Sequence, residues 1–308
     1  MEAFAVPVLL LIGSLLAVQS AANVQLSAAM ASPFGASTLQ LGIGAALLVT
    51  VSALAGSLGA LELVDDAEPW QLVGGLGSAL YITAGIVIFP RLGALVAVGL
   101  FIAGQMFASL VLDGFGWLGI AQEPLDAAGL AGAGAVLLGV WLIVRAQTRA
   151  DVLELTIRKR GGWVLLGLAA GAVLPVQGAI NAQLNARLDA ATTVGAFSFL
   201  VATVAMMLAL LVVLAAGARR PRVQPLRAVP WWGWLGGLCG ATYVTAVFLL
   251  IPEIGAAPVV MLTVAGQQLA SVAVDRYGLL RLPHRDISGR RLTGVAVLLA
   301  GAASITVL

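Results

Sequence analysis

Residues 18–26 read Val-Gln-Ser-Ala-Ala-Asn-Val-Gln-Leu, and residues 176–184 read Val-Gln-Gly-Ala-Ile-Asn-Ala-Gln-Leu. One polar signature therefore recurs 158 residues apart in two otherwise hydrophobic halves of a single chain. Repetition on this scale sets the architecture before any local motif does. The match continues outward. Trp70 and Gly74-Gly75 align with Trp232 and Gly236-Gly237, Tyr81-Ile-Thr83 with Tyr243-Val-Thr245, and Pro90-Arg-Leu-Gly-Ala94 with Pro252-Glu-Ile-Gly-Ala256. Ala103-Gly-Gln105, Ser109 and Asp113 then align with Ala265-Gly-Gln267, Ser271 and Asp275, by which point the offset has grown only to 162. We expect a first unit over residues 1–148 and a second over residues 149–308.

Hydrophobic residues make up 61% of the 308 positions and charged residues 10%, with a mean hydropathy of +1.05. Such a chain has lipid as its main solvent. Apolar stretches of about 18 to 25 residues, enough to cross about 30 Å of hydrocarbon as helix, occupy approximately residues 3–26, 34–59, 70–89, 93–112 and 125–145. Five more occupy approximately 161–186, 192–217, 230–251, 256–275 and 290–308. None has the two-residue alternation of a membrane β-strand. The first stretch is expected to be a retained helix, since the segment before it carries Glu2 and no cation, and its twin lies mid-chain. The 37 glycines suit helices in close contact, as in Gly167 to Gly171 and Gly236 to Gly240. The fold expected is an all-α membrane protein of ten transmembrane helices, arranged as two five-helix repeats.

An odd number of spans per repeat sends the second copy into the membrane from the opposite side, so the repeats are inverted. Cations near span ends mark the cytoplasmic side. With both termini outside, Arg91, Arg145, Arg149, Arg158, Lys159, Arg160, Arg219, Arg220, Arg222, Arg227, Arg276, Arg281, Arg285, Arg290 and Arg291 all fall inside. Only Arg187 of the sixteen cations is left outside, together with the acidic stretch from Glu62 to Glu68. The location expected is the plasma (inner) membrane, crossed many times.

The helix carrying Val-Gln-x-x-x-Asn-x-Gln-Leu, the third with Tyr-x-Thr before a Pro-x-x-Gly-Ala turn, and the fourth with Ala-Gly-Gln and a terminal Asp resemble the YdcZ-like family of the drug/metabolite transporter superfamily. The chain looks like the fused, two-unit form over nearly its whole length. The resemblance implies a ten-helix carrier fold and export of small molecules, with no particular substrate. Distantly related small multidrug exporters carry an embedded glutamate in the first helix. Gln19 and Asn23 stand there instead, and Gln177 and Asn181 in the twin, so neither copy has a titratable group for that proton-coupled mechanism.

Gln19 and Asn23 are four residues apart, as are Gln177 and Asn181, so each pair shares a helix face. An amide in hydrocarbon must be hydrogen-bonded, which turns that face toward protein or water. Two roles stand open: coordination of a neutral polar solute, or interhelical hydrogen bonds that fix the bundle. Gln105 and Gln267, flanked by Gly104 and Gly266, are the next candidates for a cavity wall, with Tyr81 and Tyr243 as stacking or packing residues. These eight residues are the expected substrate contacts. Asp113 and Asp275 read as solvated helix ends. Pro175 precedes Gln177, whereas Ala17 precedes Gln19, so a hinge is expected in one copy only.

Catalysis lacks its parts. Cys239 and His284 are each the sole residue of their type, and no HExxH or GxxxxGK[ST] pattern occurs. We expect no enzyme activity, no catalytic or metal residues, no cofactor and no nucleic-acid partner, but a small-molecule substrate and membrane lipid, with a monomer and a homodimer both open. The function expected is a secondary transporter exporting a small polar or amphipathic metabolite by alternating access. A non-transporting membrane subunit or a lipid flippase is the alternative. Reporter fusions test the topology: a periplasm-dependent phosphatase joined after Glu68 is expected to be active, and one joined after Lys159 inactive.

Overall fold

The computed structural model describes residues 2–120, 122, 127–145, 157–254, 256–282, 284 and 287–304. Among them are ten α-helices and no strand: α1 (Glu2–Met30), α2 (Pro33–Leu54), α3 (Gly75–Leu92), α4 (Ala94–Phe115), α5 (Ala127–Arg145), α6 (Ile157–Leu188), α7 (Ala191–Ala215), α8 (Gly236–Ile254), α9 (Ala256–Tyr277) and α10 (Gly289–Ser304). The expected boundary between residues 148 and 149 lies outside the described residues. Seven helices, α1–α4 and α6–α8, contain described stretches long and apolar enough to cross a membrane. In α9 the hydropathy is lowered by Gln267, Gln268 and Asp275, all at most 2% exposed, so these groups face protein. The expected spans at 70–89 and 230–251 begin later as α-helix, at Gly75 and Gly236. Short 3₁₀ turns, Pro69–Leu72 and Trp231–Trp234, precede each. Pro90 and Pro252 sit within the last turns of α3 and α8. The break after α3 falls at Gly93, whose φ of 83° favours glycine.

Local backbone repeats along with the sequence. Ala31 and Asp189, which join α1 to α2 and α6 to α7, both have positive φ (51° and 46°). Leu118 and Leu280 match each other likewise at 57° and 55°. Left-handed backbone costs a non-glycine residue roughly 1–2 kcal/mol, so its recurrence at equivalent positions marks a shared chain path.

The two repeats interlock. α1 crosses α9, and α4 crosses α6. At the first crossing a Cβ on Gly13 would collide with the Thr263 backbone, and one on Gly266 with the Leu10 backbone. At the second, Gly171 meets the Phe101 backbone and Gly104 meets Leu168. These are the same contacts exchanged between repeats, because Gly13 corresponds to Gly171 and Gly104 to Gly266. With little hydrophobic gain from pairing helices in lipid, backbone approach of this kind supplies the attraction.

Equivalent helices pack antiparallel. Along α2 and α7, Gly44 meets Phe199, Gly195 meets Leu48, and Ser57 Oγ lies 2.9 Å from Thr193 Oγ1. Along α5 and α10, Gly139 meets Leu298, and Gly294 meets Ile143. Antiparallel packing of equivalent helices puts the pseudo-twofold axis across them, which is the inverted arrangement. The connections sort accordingly. Arg187 donates to the Asp66 carbonyl at 2.5 Å, and Gln183 to that of Gly119 at 3.2 Å, on one face. On the other face Arg222 N donates to Met30 O at 2.8 Å, and Gln25 to Leu280 O at 3.3 Å.

Valine at Gly13 or Gly171 is expected to destabilise the protein by about 1–3 kcal/mol or more, as overpacking does. Gly59→Ala, where a Cβ meets no atom within 4 Å, should stay within about 0.5 kcal/mol of the parent. Thermal melts in detergent read both.

Candidate solute-binding site

Four repeat-related side chains converge where α3, α4, α8 and α9 meet. The Tyr243 hydroxyl donates to Gln105 Oε1 at 3.4 Å, Gln105 Nε2 to Gln267 Oε1 at 3.4 Å, and Gln267 Nε2 to the Tyr81 hydroxyl at 2.8 Å. All four are at most 3% exposed. An amide presents a donor at one end and an acceptor at the other, so Gln105 and Gln267 cannot meet symmetrically. One gives and the other receives, and the chain of bonds runs one way from the second repeat's tyrosine to the first's.

The two amide sets flanking this chain are equally buried but differently satisfied. Gln177 lies with Oε1 at 3.0 Å and Nε2 at 2.8 Å from Ser78 Oγ, and Asn181 Nδ2 donates to Ser198 Oγ at 3.1 Å. In the other set, Gln19 and Asn23 are each 2% exposed, and Gln19 Oε1 and Asn23 Oδ1 meet no hydrogen-bond partner. The repeat alignment gives the reason. Gly240 occupies the place of Ser78, and Gln40 that of Ser198. Gln40 is already engaged, its Nε2 with Gly233 O at 2.9 Å and its Oε1 with Gly237 N at 2.7 Å.

A cavity of about 10 Å³, room for one water-sized sphere and far below the roughly 300–1,000 Å³ usual for ligand pockets, lies on the pseudo-axis. Its walls come in equivalent pairs: Leu16 with Leu174, Ser78 with Gly240, Tyr81 with Tyr243, and Ile82 with Val244. Gln19 and Phe199 complete it without their repeat counterparts. Of the eight residues singled out in the sequence, Gln19, Tyr81 and Tyr243 line this space. Gln177 meets it through Ser78, while Asn23, Asn181, Gln105 and Gln267 are outside its lining. Gln268 is fully buried with neither amide atom partnered; it too lies outside the lining, and Met106 occupies its equivalent position.

The aspartates depart from expectation. Asp113 and Asp275 are 8% and 2% exposed rather than solvated, and Asp275 Oδ2 accepts from Leu95 N at 2.9 Å. Leu95 lies in the first turn of α4, where backbone N–H groups lack helical partners, so a carboxylate from α9 is a cap delivered by a neighbouring helix. Ser78, Ser198, Gln40 and the site role of Gly240 escaped the motif reading. Setting the repeats residue against residue would have exposed the Ser78 and Gly240 mismatch. The serine hydrogen bonds required coordinates. Among the described residues no group of three metal-ligating side chains occurs.

Inverted helical repeats closing around a central, partly polar cavity define an all-α membrane protein with a transporter-type fold. The family model described as "Putative inner membrane exporter, YdcZ" matches residues 4–142 and again residues 162–304, and the chain belongs to that family. Over 90 residues it is 30% identical to the inner membrane protein YdcZ of Escherichia coli (strain K12), a match spanning 29% of this chain and 60% of that one. A solved crystal structure shares the fold at a TM-score of 0.62 and 20% identity, over 97% of this chain and 96% of the other. The chain is thus a multi-pass inner membrane protein of an exporter family.

A double-mutant cycle on Gln105→Leu and Gln267→Leu is expected to give a coupling energy of about 0.6 kcal/mol, the mean for interhelical hydrogen bonds in membranes. The single Gln267 change should be the more destabilising, because it breaks the 2.8 Å bond to Tyr81, whereas Gln105→Leu breaks only the two 3.4 Å bonds. Denaturation in detergent measures the cycle.

Proposed function

We propose that this protein is a secondary carrier that exports a small polar or amphipathic solute by alternating access, with both termini outside. The observation that carries the reading is the cavity built from equivalent residues of both repeats. A site on the pseudo-axis of an inverted pair is one that each repeat can expose in turn by rocking against the other. The glycine crossings support the same motion, since a backbone contact of α1 with α9 and of α4 with α6 provides two related pivots. In this orientation the Gln19 and Asn23 set lies toward the cytoplasmic leaflet and the Gln177 and Asn181 set toward the outer one. The small cavity then corresponds to a stage of the cycle without solute, with room for about one water molecule.

The charges favour a particular kind of coupling. The carboxylate whose bonds are described, Asp275, caps a helix start, and no ionisable acid lines the cavity. Uniport or exchange fits these residues better than proton exchange at a central carboxylate. Purified protein in liposomes, loaded with a panel of neutral metabolites, is expected to accelerate efflux of a subset. Tyr81→Ala and Tyr243→Ala should each cut that flux by an order of magnitude or so, about the effect of 1.4 kcal/mol. If folded protein moves no solute in the panel, the carrier reading fails.

A further inference from the structure

The connections that follow the second helix of each repeat share a path and differ in charge. Both start at a left-handed glycine, Gly56 with φ 69° and Gly217 with φ 90°, and both reach the next helix through a 3₁₀ turn, Pro69–Leu72 or Trp231–Trp234. The first carries four exposed acids, Glu62, Asp65, Asp66 and Glu68. The second carries Arg219, Arg220, Arg222 and Arg227, all exposed, and no acid occurs between Asp189 and Glu253. Among the described residues none of these four side chains has a hydrogen-bond or ion-pair partner. Two other cations at span ends are engaged: Arg91 lies 4.6 Å from the ring centre of Trp163, and Arg145 4.8 Å from that of Trp141.

The basic connection is fixed to the body of the protein. Arg222 N donates to Met30 O at 2.8 Å, Gln40 Nε2 donates to Gly233 O at 2.9 Å, and Leu226 and Val229 pack on the core. With that side held inward, the arginines, Val223 (69% exposed) and Trp231 (76% exposed) are left outward. An exposed indole beside arginines, between two apolar spans, is the composition of the headgroup level. α7, which delivers the chain to Arg219, bares Val204, Leu208, Leu211 and Val212 at the i, i+4, i+7, i+8 spacing of one helix face, each more than half exposed.

We propose that this surface is a docking site for an anionic phospholipid. The acyl chains lie along the apolar stripe of α7, and the phosphate with its anionic headgroup takes the guanidinium groups of the 219–227 segment. Guanidinium suits the role because its planar fork of donors matches phosphate oxygens. Four cations so close in sequence repel one another, and an anionic headgroup neutralises them where the segment itself offers no acid. The site belongs to one face of the protein only, since the acidic twin connection repels the same headgroup. It stands on the surface of the second repeat and does not depend on the carrier reading.

The test melts the full-length protein in a neutral detergent with added dioleoylphosphatidylglycerol, dioleoylphosphatidylcholine or inorganic phosphate. Phosphatidylglycerol is expected to raise Tm in a concentration-dependent way. Phosphatidylcholine, with the same chains and no net charge, should act only at much higher concentration, and the difference between the two should shrink as salt is raised. Arg219→Gln combined with Arg220→Gln is expected to raise the phosphatidylglycerol concentration for half the shift roughly 25-fold, about fivefold per arginine. A charge-matched control, Arg91→Gln combined with Arg145→Gln, removes two cations that already face indole rings and should leave the preference for phosphatidylglycerol in place. The two lipids are compared within each variant, so a change in basal stability does not mask the result. Equal stabilisation by the two lipids, or by neither, overturns the proposal. Stabilisation by phosphate alone as strong as that by phosphatidylglycerol replaces it with a free-anion site, and equal loss of preference in both double variants reduces it to net charge.

Discussion

Backbone touching backbone at four glycines is the constraint on which the rest of this structure depends. In lipid, two helices gain little by hiding apolar side chains from a solvent that is itself apolar, and what draws them together is close packing and the hydrogen bonds it permits. Gly13 against Thr263, Gly266 against Leu10, Gly171 against Phe101 and Gly104 against Leu168 bring α1 to α9 and α4 to α6 with no side chain between. Each crossing joins the first helix of one repeat to the fourth of the other. Neither repeat completes this packing within itself, so the two halves fold into one interlocked body. The cavity lies beside that arrangement, lined by α1 and α6 of the crossings together with α3, α7 and α8.

Close approach also forces polar groups into contact, and the protein satisfies most of them across the axis. The line from Tyr243 through Gln105 and Gln267 to Tyr81 places hydroxyls and amides of both repeats in series. The Asp275 carboxylate closes the exposed start of α4 in the same cross-element manner. Set beside these, the unpartnered amides of Gln19 and Asn23 are among the exceptions, with Gln268, and they belong to the signature that announces the repeat. The two copies of the motif thus differ in how fully their amides are hydrogen-bonded. The difference traces to two positions, glycine at 240 where the twin has serine at 78 and glutamine at 40 where it has serine at 198.

The sequence made the frame legible because its evidence is periodic. The offset between Gln19 and Gln177, and between Tyr81 and Tyr243, needs no coordinates to be seen, and odd-numbered repeats must invert. The arginine distribution added a direction, and the contacts of Arg187 with Asp66 and of Arg222 with Met30 sort those connections onto opposite faces as alternating spans require. Burial of the amides was equally legible, since hydrocarbon allows such groups few other places. The aspartates were misjudged as solvated because a helix end reads as exposed unless the start of another helix is known to lie beside it.

What the amino-acid order determined by itself is the duplication, the membrane setting and the list of polar residues that must turn inward, because each follows from composition and period along one dimension. Only the tertiary structure decided which of those residues meet. Gln177 finds Ser78, 99 residues away, and Gln105 finds Gln267 at a distance of 162, while Gln19 finds nothing. Hydrogen bonding depends on a few tenths of an ångström between groups that the chain keeps far apart, and that proximity is set by how closely the glycines let the helices cross.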